Sequence, residues 1–276
     1  MYEHYWKLAK APFATNSQPA AFFPARSHQA AWLKLQYLVD QRQGTAWVAG
    51  PAGVGKSILL NLVEQHICEQ KGAAAKILYP QLSAEELLRT CLQAWHPEEA
   101  VRRNNELGLD QLWSFTQESL RLRAEAGVPV VLLLDDVEVA DPLVLYPWLQ
   151  QLLNLAGDDD ASFSVILCGA LEAITEFRRW ERLANRVAFQ CLIKPFTQTE
   201  TMAYVHHRLA EAGATASPFT TEACQTIHGL SGGVARRINR LCDFALLVGY
   251  ADNATEITPD LLEGVAIEID PLSAAA

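Results

Sequence analysis

The chain has 276 residues, half of them hydrophobic and a fifth charged, which suffices for one large domain, or a large and a small one, around a substantial core. Its net charge of -10 disfavours a broad, sequence-independent nucleic-acid binder, because such a protein needs a basic surface to displace counterions. No apolar run approaches the ~20 residues that cross a bilayer; Glu3, Lys7 and Lys10 leave no apolar stretch for a secretory signal, so a cytoplasmic location is expected.

In chain order, short apolar runs at Thr45–Ala49, Ala75–Tyr79, Val128–Leu134, Ser162–Cys168 and Arg186–Leu192 alternate with longer helical patterns. Nearly continuous apolar runs suit strands covered on both faces, so the pattern predicts an α/β fold with a five-stranded parallel sheet flanked by helices. Ser83 and Glu86 form a capping box that starts a helix. An acidic turn at Gly157–Asp160 separates a helix ending near Leu155 from the next strand. After Lys194 and Pro195 the pattern turns helical. Thr197 and Glu200 make a second capping box, and helices are expected at Glu200–Ala212, Thr221–His228, Val234–Val248 and Pro259–Ile269. The expected division is an α/β core over 1–195 and a small all-helical domain over 196–276.

The six cysteines have no C-x-x-C spacing and mostly sit in apolar stretches, so they read as buried reduced thiols. The seven histidines offer no H-x-x-x-H pair, and no metal cluster is expected from them.

Gly50-Pro51-Ala52-Gly53-Val54-Gly55-Lys56-Ser57 satisfies G-x-x-x-x-G-K-S between an expected strand and an apolar-periodic helix that opens at Ile58. Gly50, Gly53 and Gly55 let the backbone curl so that successive N–H groups face one anion, and the helix N-terminus adds positive charge. Lys56 is placed to reach the β- and γ-phosphates of ATP, and the Ser57 hydroxyl to coordinate Mg²⁺. The candidate nucleotide-binding stretch is therefore Gly50 to Ile58. A carboxylate at a strand end completes such a site: Val130–Leu134 runs into Asp135 and Asp136. Asp135 is the candidate Mg²⁺ ligand and Asp136 the favoured base for the attacking water. Asp136 could instead only cap the following turn, and Glu138 could substitute as base if the loop bends.

Several motifs in order resemble the AAA+ ATPases typified by general secretion pathway protein A (the ExeA type), whose relatives include transposition regulators of the TnsC and TniB kind. They are Tyr5-Trp6-x-Leu8, Pro12-Phe13, Phe22-Phe23, Ser27-His28 and Leu35-x-Tyr37 before the loop. After it come Leu82-Ser83-x-Glu85-Glu86-Leu87-Leu88 and Gly232-Gly233-x-x-Arg236-Arg237-Ile238-Asn239-x-Leu241-Cys242-Asp243. The resemblance covers nearly the whole chain. It implies a P-loop NTPase of the AAA+ type whose Phe13–His28 segment lines the adenine and ribose pocket, unless its aromatics are simply core, and whose Arg236 senses the γ-phosphate. It also implies that Arg186 serves as an arginine finger on ATP held by a neighbouring subunit, a role for which Arg178, Arg179 and Arg182 compete. Two departures bear on hydrolysis rather than binding. The family's Asp-Glu-Ala-Gln reads Asp135-Asp136-Val137-Glu138, and its Gly-Gln-Pro-Glu-Leu reads Gly169-Ala170-Leu171-Glu172-Ala173, without a polar sensor at Ala170.

The family's secretion members carry a transmembrane segment and a periplasmic domain, and this chain stops at Leu272–Ala276, so no membrane-anchored role is expected to transfer. The leading expectation is a Mg²⁺-dependent ATPase that assembles as a nucleotide-dependent homo-oligomer, with the helical lid repacking on the core for an unidentified protein client. A slow or non-hydrolysing switch is the first alternative. A DNA-associated regulator is the second, disfavoured by charge although Arg178, Arg179, Arg182, Arg186, Arg236, Arg237 and Arg240 form two basic segments.

Overall fold

The computed structural model describes residues 1–14, 18–96, 107–155 and 163–269. The acidic turn at Gly157–Asp160 and the stretch Leu272–Ala276 lie outside the described residues. In chain order the helices are α1 (Tyr2–Tyr5), α2 (Arg26–Asp40), α3 (Lys56–Glu69), α4 (Ala84–Trp95), α5 (Leu109–Glu125) and α6 (Pro142–Leu155). They continue as α7 (Leu171–Phe177), α8 (Glu181–Ala184), α9 (Gln198–Glu211), α10 (Thr221–Ser231), α11 (Ala235–Ala251) and α12 (Pro259–Ile269). The strands are β1 (Gln43–Ala49), β2 (Ala73–Ile77), β3 (Val130–Leu134), β4 (Phe163–Gly169) and β5 (Val187–Leu192). Contacts divide the chain into two units, an α/β unit of residues 26–52 and 56–193 and a helical unit of residues 1–25, 53–55 and 194–276.

In the α/β unit the five strands form one sheet in the order β2-β3-β4-β1-β5, every pair parallel. All residues of β3 and β4 are buried, the condition of inner strands covered on both faces. The outer strands differ. In β2 buried and half-buried residues alternate, and β5 exposes Ala188, Gln190 and Leu192. The expected strands are all present, with ends displaced by at most two residues. The Ser83 box forms as expected: Ser83 Oγ accepts from the Glu86 amide at 3.3 Å, and the Glu86 carboxylate accepts from the Ser83 amide at 2.8 Å.

In the helical unit the second box forms in the same way, Thr197 Oγ1 accepting from the Glu200 amide at 3.2 Å and Glu200 from the Thr197 amide at 2.9 Å. Four helices, α9 to α12, enclose a core that includes Val205, Ile227, Ile238, Leu246 and Leu262. Residues 1–25 group by contact with these helices. The cause is aromatic packing with matched polar tips. Tyr2 donates its hydroxyl to Asp243, Trp6 Nε1 donates to the Leu246 carbonyl at 2.9 Å, and Tyr5 donates to the Ala254 carbonyl at 2.7 Å. Gly249 leaves room for Trp6, whose ring a Cβ would meet at 3.0 Å. Further along, Phe13 is 1% exposed and meets Phe219 edge to face at 6.0 Å. The buried Arg208 guanidinium ties the same stretch down, donating to the Pro12 carbonyl at 2.7 Å and the Ala14 carbonyl at 3.0 Å.

Five of the six cysteines are buried and Cys68 is exposed; none is in a disulfide. Among the described residues no three His, Cys, Asp or Glu side chains cluster as metal ligands, and no helix is long and apolar enough to cross a membrane.

Candidate nucleotide-binding site

Strand β1 lies between β4 and β5, so the chain leaving Ala49 emerges inside the row of C-terminal strand ends, where parallel α/β sheets hold their ligands. The amide of Gly50 donates to the Gly169 carbonyl at 3.3 Å, which fixes the start of the loop against the end of β4. Gly53 and Gly55 then take φ of +79° and +108°, conformations that a side chain resists. Gly53 is also crowded, since a Cβ there would lie 2.8 Å from Arg236 Cβ. Residues 53–55 belong by contact to the helical unit, and the Arg236 amide donates to the Gly53 carbonyl at 3.0 Å. Val54 between them is buried, while Pro51 and Ala52 are exposed and Ile58 is half-buried in the first turn of α3.

Lys56 opens α3 with its side chain only 7% exposed. Its ammonium donates to the carbonyls of Gly50 at 2.9 Å and Pro51 at 3.2 Å. Two carbonyl dipoles therefore hold a nearly buried cation at the mouth of the loop, a favourable position for a phosphate. Ser57 Oγ donates to Asp135 Oδ2 at 2.7 Å. Asp135, 4% exposed, accepts from the Asp136 amide through its other oxygen at 3.0 Å, and its own amide donates to Ile77 at 2.9 Å. A hydroxyl and a carboxylate oxygen, both hard donors, fit Mg²⁺, which takes one or two protein ligands and fills its shell with phosphate and water.

The two candidate bases occupy different surroundings. Asp136 is exposed and left-handed, φ +47° and ψ +47°, at the start of a 3₁₀ turn (Val137–Val139), and its side chain makes no capping bond there. Glu138 is exposed too, with its carboxylate against the Cα of Gly169, where any Cβ would collide with it. The buried hydroxyl of Tyr146 and thiol of Cys168 separate them further. Burial, then the charges of Glu176 and Glu138, push Tyr146 up to about 12. Burial, then Asp135, raise the Cys168 thiol well above its usual range, with Asp136 adding to the rise and Lys56 opposing it. Asp136 adjoins Asp135, which accepts from its amide, and Glu138 sits against Gly169.

Sequence reasoning missed Cys168, which is wholly buried and whose thiol is raised by burial and by the Asp135 charge. Its only signal is the β3–β4 register: Leu134 pairs with Leu167, so Asp135 leaves β3 level with Cys168. Ala170 stands at the N-cap of α7 with no polar side chain to offer.

Arg186 lies at the opposite end of the sheet. It precedes β5, whose far end, Leu192, pairs with Ala49; six residues of strand separate the two levels by ~20 Å. Its Nη2 donates to Asn154 Oδ1 at 2.9 Å. Arg186 is therefore remote from its own chain's loop. Arg179 pairs with Glu176 at 2.6 Å, and Arg178 donates to Gln190 at 3.3 Å. The Arg236 side chain is exposed.

Comparison with known proteins bears on the fold. Residues 39–175 match the family model of an AAA domain. The chain is similar to general secretion pathway protein A of Aeromonas hydrophila, 29% identical over 271 residues. That alignment covers 98% of this chain and 48% of the relative, so the chain spans about half the relative's length. Among solved structures it resembles Cdc6p of Pyrobaculum aerophilum (TM-score 0.70, 15% identity, 91% of this chain and 68% of that one). It also resembles the ORC2 protein of Aeropyrum pernix in ADPNP–ADP complexes (TM-score 0.68, 13% identity, 94% and 71%). The RuvB Holliday junction branch migration motor of Thermotoga maritima aligns with a TM-score of 0.58 at 15% identity (88% and 68%). At these identities the structural likeness speaks for the fold.

Proposed function

We propose that the chain, whose residues 39–175 match the model of an AAA domain, is an AAA+ ATPase that binds ATP with Mg²⁺ at Gly50–Ile58 and hydrolyses it. The observation that carries this reading is the 2.7 Å bond between Ser57 and Asp135 at the end of a loop whose Lys56 ammonium is held at its mouth. The loop amides and Lys56 bind the phosphates, and Ser57 and Asp135 hold the cation. Bound Mg²⁺ supplies charge neutralisation on the transferring phosphoryl group. Asp136 orients and deprotonates the attacking water, with Glu138 the second candidate. Arg236 reads the γ-phosphate. Arg186, ~20 Å from its own loop along β5, acts on the site of a neighbouring copy, which makes turnover dependent on assembly. ATP is a cytoplasmic fuel, and we place the site on that side of the membrane.

The test is nucleotide binding and phosphate release by the folded protein and by Lys56→Ala and Asp135→Asn. Removal of the Lys56 charge is expected to weaken ATP binding by roughly 10²-fold, two charge-assisted bonds at ~1.5 kcal/mol each. Asp135→Asn is expected to abolish the dependence on Mg²⁺. Unchanged affinity in Lys56→Ala would overturn the reading.

A second reading, a slow ATP-dependent switch that remodels a protein client by binding more than by turnover, is favoured by Ala170 and by the short Asp136 side chain. A single burst of phosphate without steady turnover would select it. A DNA-associated role has less support, since Arg179 is already paired with Glu176 in the more basic segment.

A further inference from the structure

The helical unit contains a cavity of about 190 Å³ that the nucleotide reading leaves unused. Leu230 at the end of α10, Leu241 of α11, and Ala266 and Ile269 of α12 make it apolar, and Arg237 and Arg240 of α11 line it as well. The two arginines are three residues apart, hence neighbours on one helix face, and both are exposed. Arg240 Nη2 donates to the Ile269 carbonyl at 3.1 Å. Among the described residues no carboxylate forms an ion pair with either guanidinium. On a chain of net charge -10 this is a local reversal of sign beside an apolar hollow. Phe244, one turn beyond Arg240 and 42% exposed, extends the apolar surface.

Size and chemistry select the ligand class. Small-molecule and cofactor sites usually enclose ~300–1,000 Å³, so this cavity suits one or two side chains. Paired guanidinium groups match a carboxylate, with which they form charge-assisted bonds. We propose that the groove docks a short acidic-apolar segment of a partner protein. One leucine-like side chain enters the cavity, and a neighbouring carboxylate bridges Arg237 and Arg240. No residue of the phosphate loop takes part, so this site stands or falls apart from ATP hydrolysis.

The experiment is an amide chemical-shift titration of the nucleotide-free full chain with the peptide acetyl-Gly-Glu-Leu-Asp-Leu-Gly-amide, and with its counterpart carrying lysine in place of both acids. Saturable shifts at Leu230, Leu241 and Ile269 are expected with the acidic peptide. Binding should weaken at least roughly tenfold in the Arg237→Ala, Arg240→Ala double variant and for the lysine peptide. A double variant that binds equally well, a lysine peptide that binds equally well, or no saturable shift at millimolar peptide overturns the proposal. So does preferential binding of a 20-base-pair DNA duplex at the same amides. The chain's own Asp270 and Leu272 have matching chemistry. If the acidic peptide binds only after Asp270→Ala and Leu272→Ala, the groove serves this chain's own segment and the partner is excluded.

Discussion

The phosphate loop and the N-terminal segment are both short stretches outside the long helices, and they are held in opposite ways. The loop is fixed by backbone conformation and polar bonds over a few atoms: two glycines at positive φ, Lys56 on two carbonyls, Ser57 on Asp135. The N-terminal segment is fixed by aromatic bulk, with Tyr2, Trp6 and Phe13 reaching α11 and Phe219. Energy spent on polar preorganisation serves a ligand, whereas buried aromatic area serves the fold. Substitutions in the two regions should therefore fail differently, one in turnover and the other in unfolding.

The largest effect is expected at Asp136. Asp136→Asn keeps size and removes basicity, so steady-state phosphate release should fall by ~10² to 10⁴-fold, the span of general-base catalysis, with ATP affinity and melting temperature nearly unchanged. If Glu138→Gln produces that loss and Asp136→Asn does not, the base lies on the flank beside Gly169. Mixing sharpens the result. Arg186→Ala and Asp136→Asn chains, each nearly inactive, should regain turnover together, because the intact Asp136 of one meets the intact Arg186 of the other. Absence of complementation in a mixed assembly would remove Arg186 from the reaction.

In the N-terminal segment the outcome should invert. Phe13→Ala deletes a ring that is 1% exposed and should cost ~3–5 kcal/mol of stability, read by denaturant unfolding, while ATP affinity of the folded fraction is retained. A pair of glycines tests the same contrast. Gly55, at φ +108°, lies in the phosphate loop; Gly233, at φ +73°, follows α10, where a Cβ would collide with the Phe196 carbonyl. Gly233→Ala should destabilise by at least ~1–3 kcal/mol from the strained backbone. Gly55→Ala should chiefly weaken nucleotide binding.

The same contrast explains how much the sequence revealed. Eight consecutive residues carry the loop's constraints, and the apolar runs of β3 and β4 are continuous because both faces are covered, so these features are legible locally. Both capping boxes depend on residues three apart and are legible for the same reason. Tyr2 and Trp6 are not, because their partners Asp243 and Leu246 lie some 240 residues away; a string of aromatics states no address. Cys168 needed the strand register, and the placement of Glu138 needed the missing side chain of Gly169. Cooperation across strands leaves little trace along one of them.

The smallest expected effect concerns α4 and is a matter of pH. Two bonds from Ser83, first from its amide and then from its hydroxyl, lower the Glu86 carboxyl below its usual range. A group whose folded value is depressed binds fewer protons when folded than when unfolded, so its stabilising contribution is complete above the unfolded carboxylate range near ~4.3. It fades as pH falls through the lower folded value. Glu86→Gln should therefore melt slightly below the natural chain at neutral pH, and the gap should close on acidification. Glu86 is fully exposed on the surface of its helix, so screening by salt should also narrow the gap. A gap that persisted at pH 3 would mean that the side chain's shape, and not its charge, completes the cap.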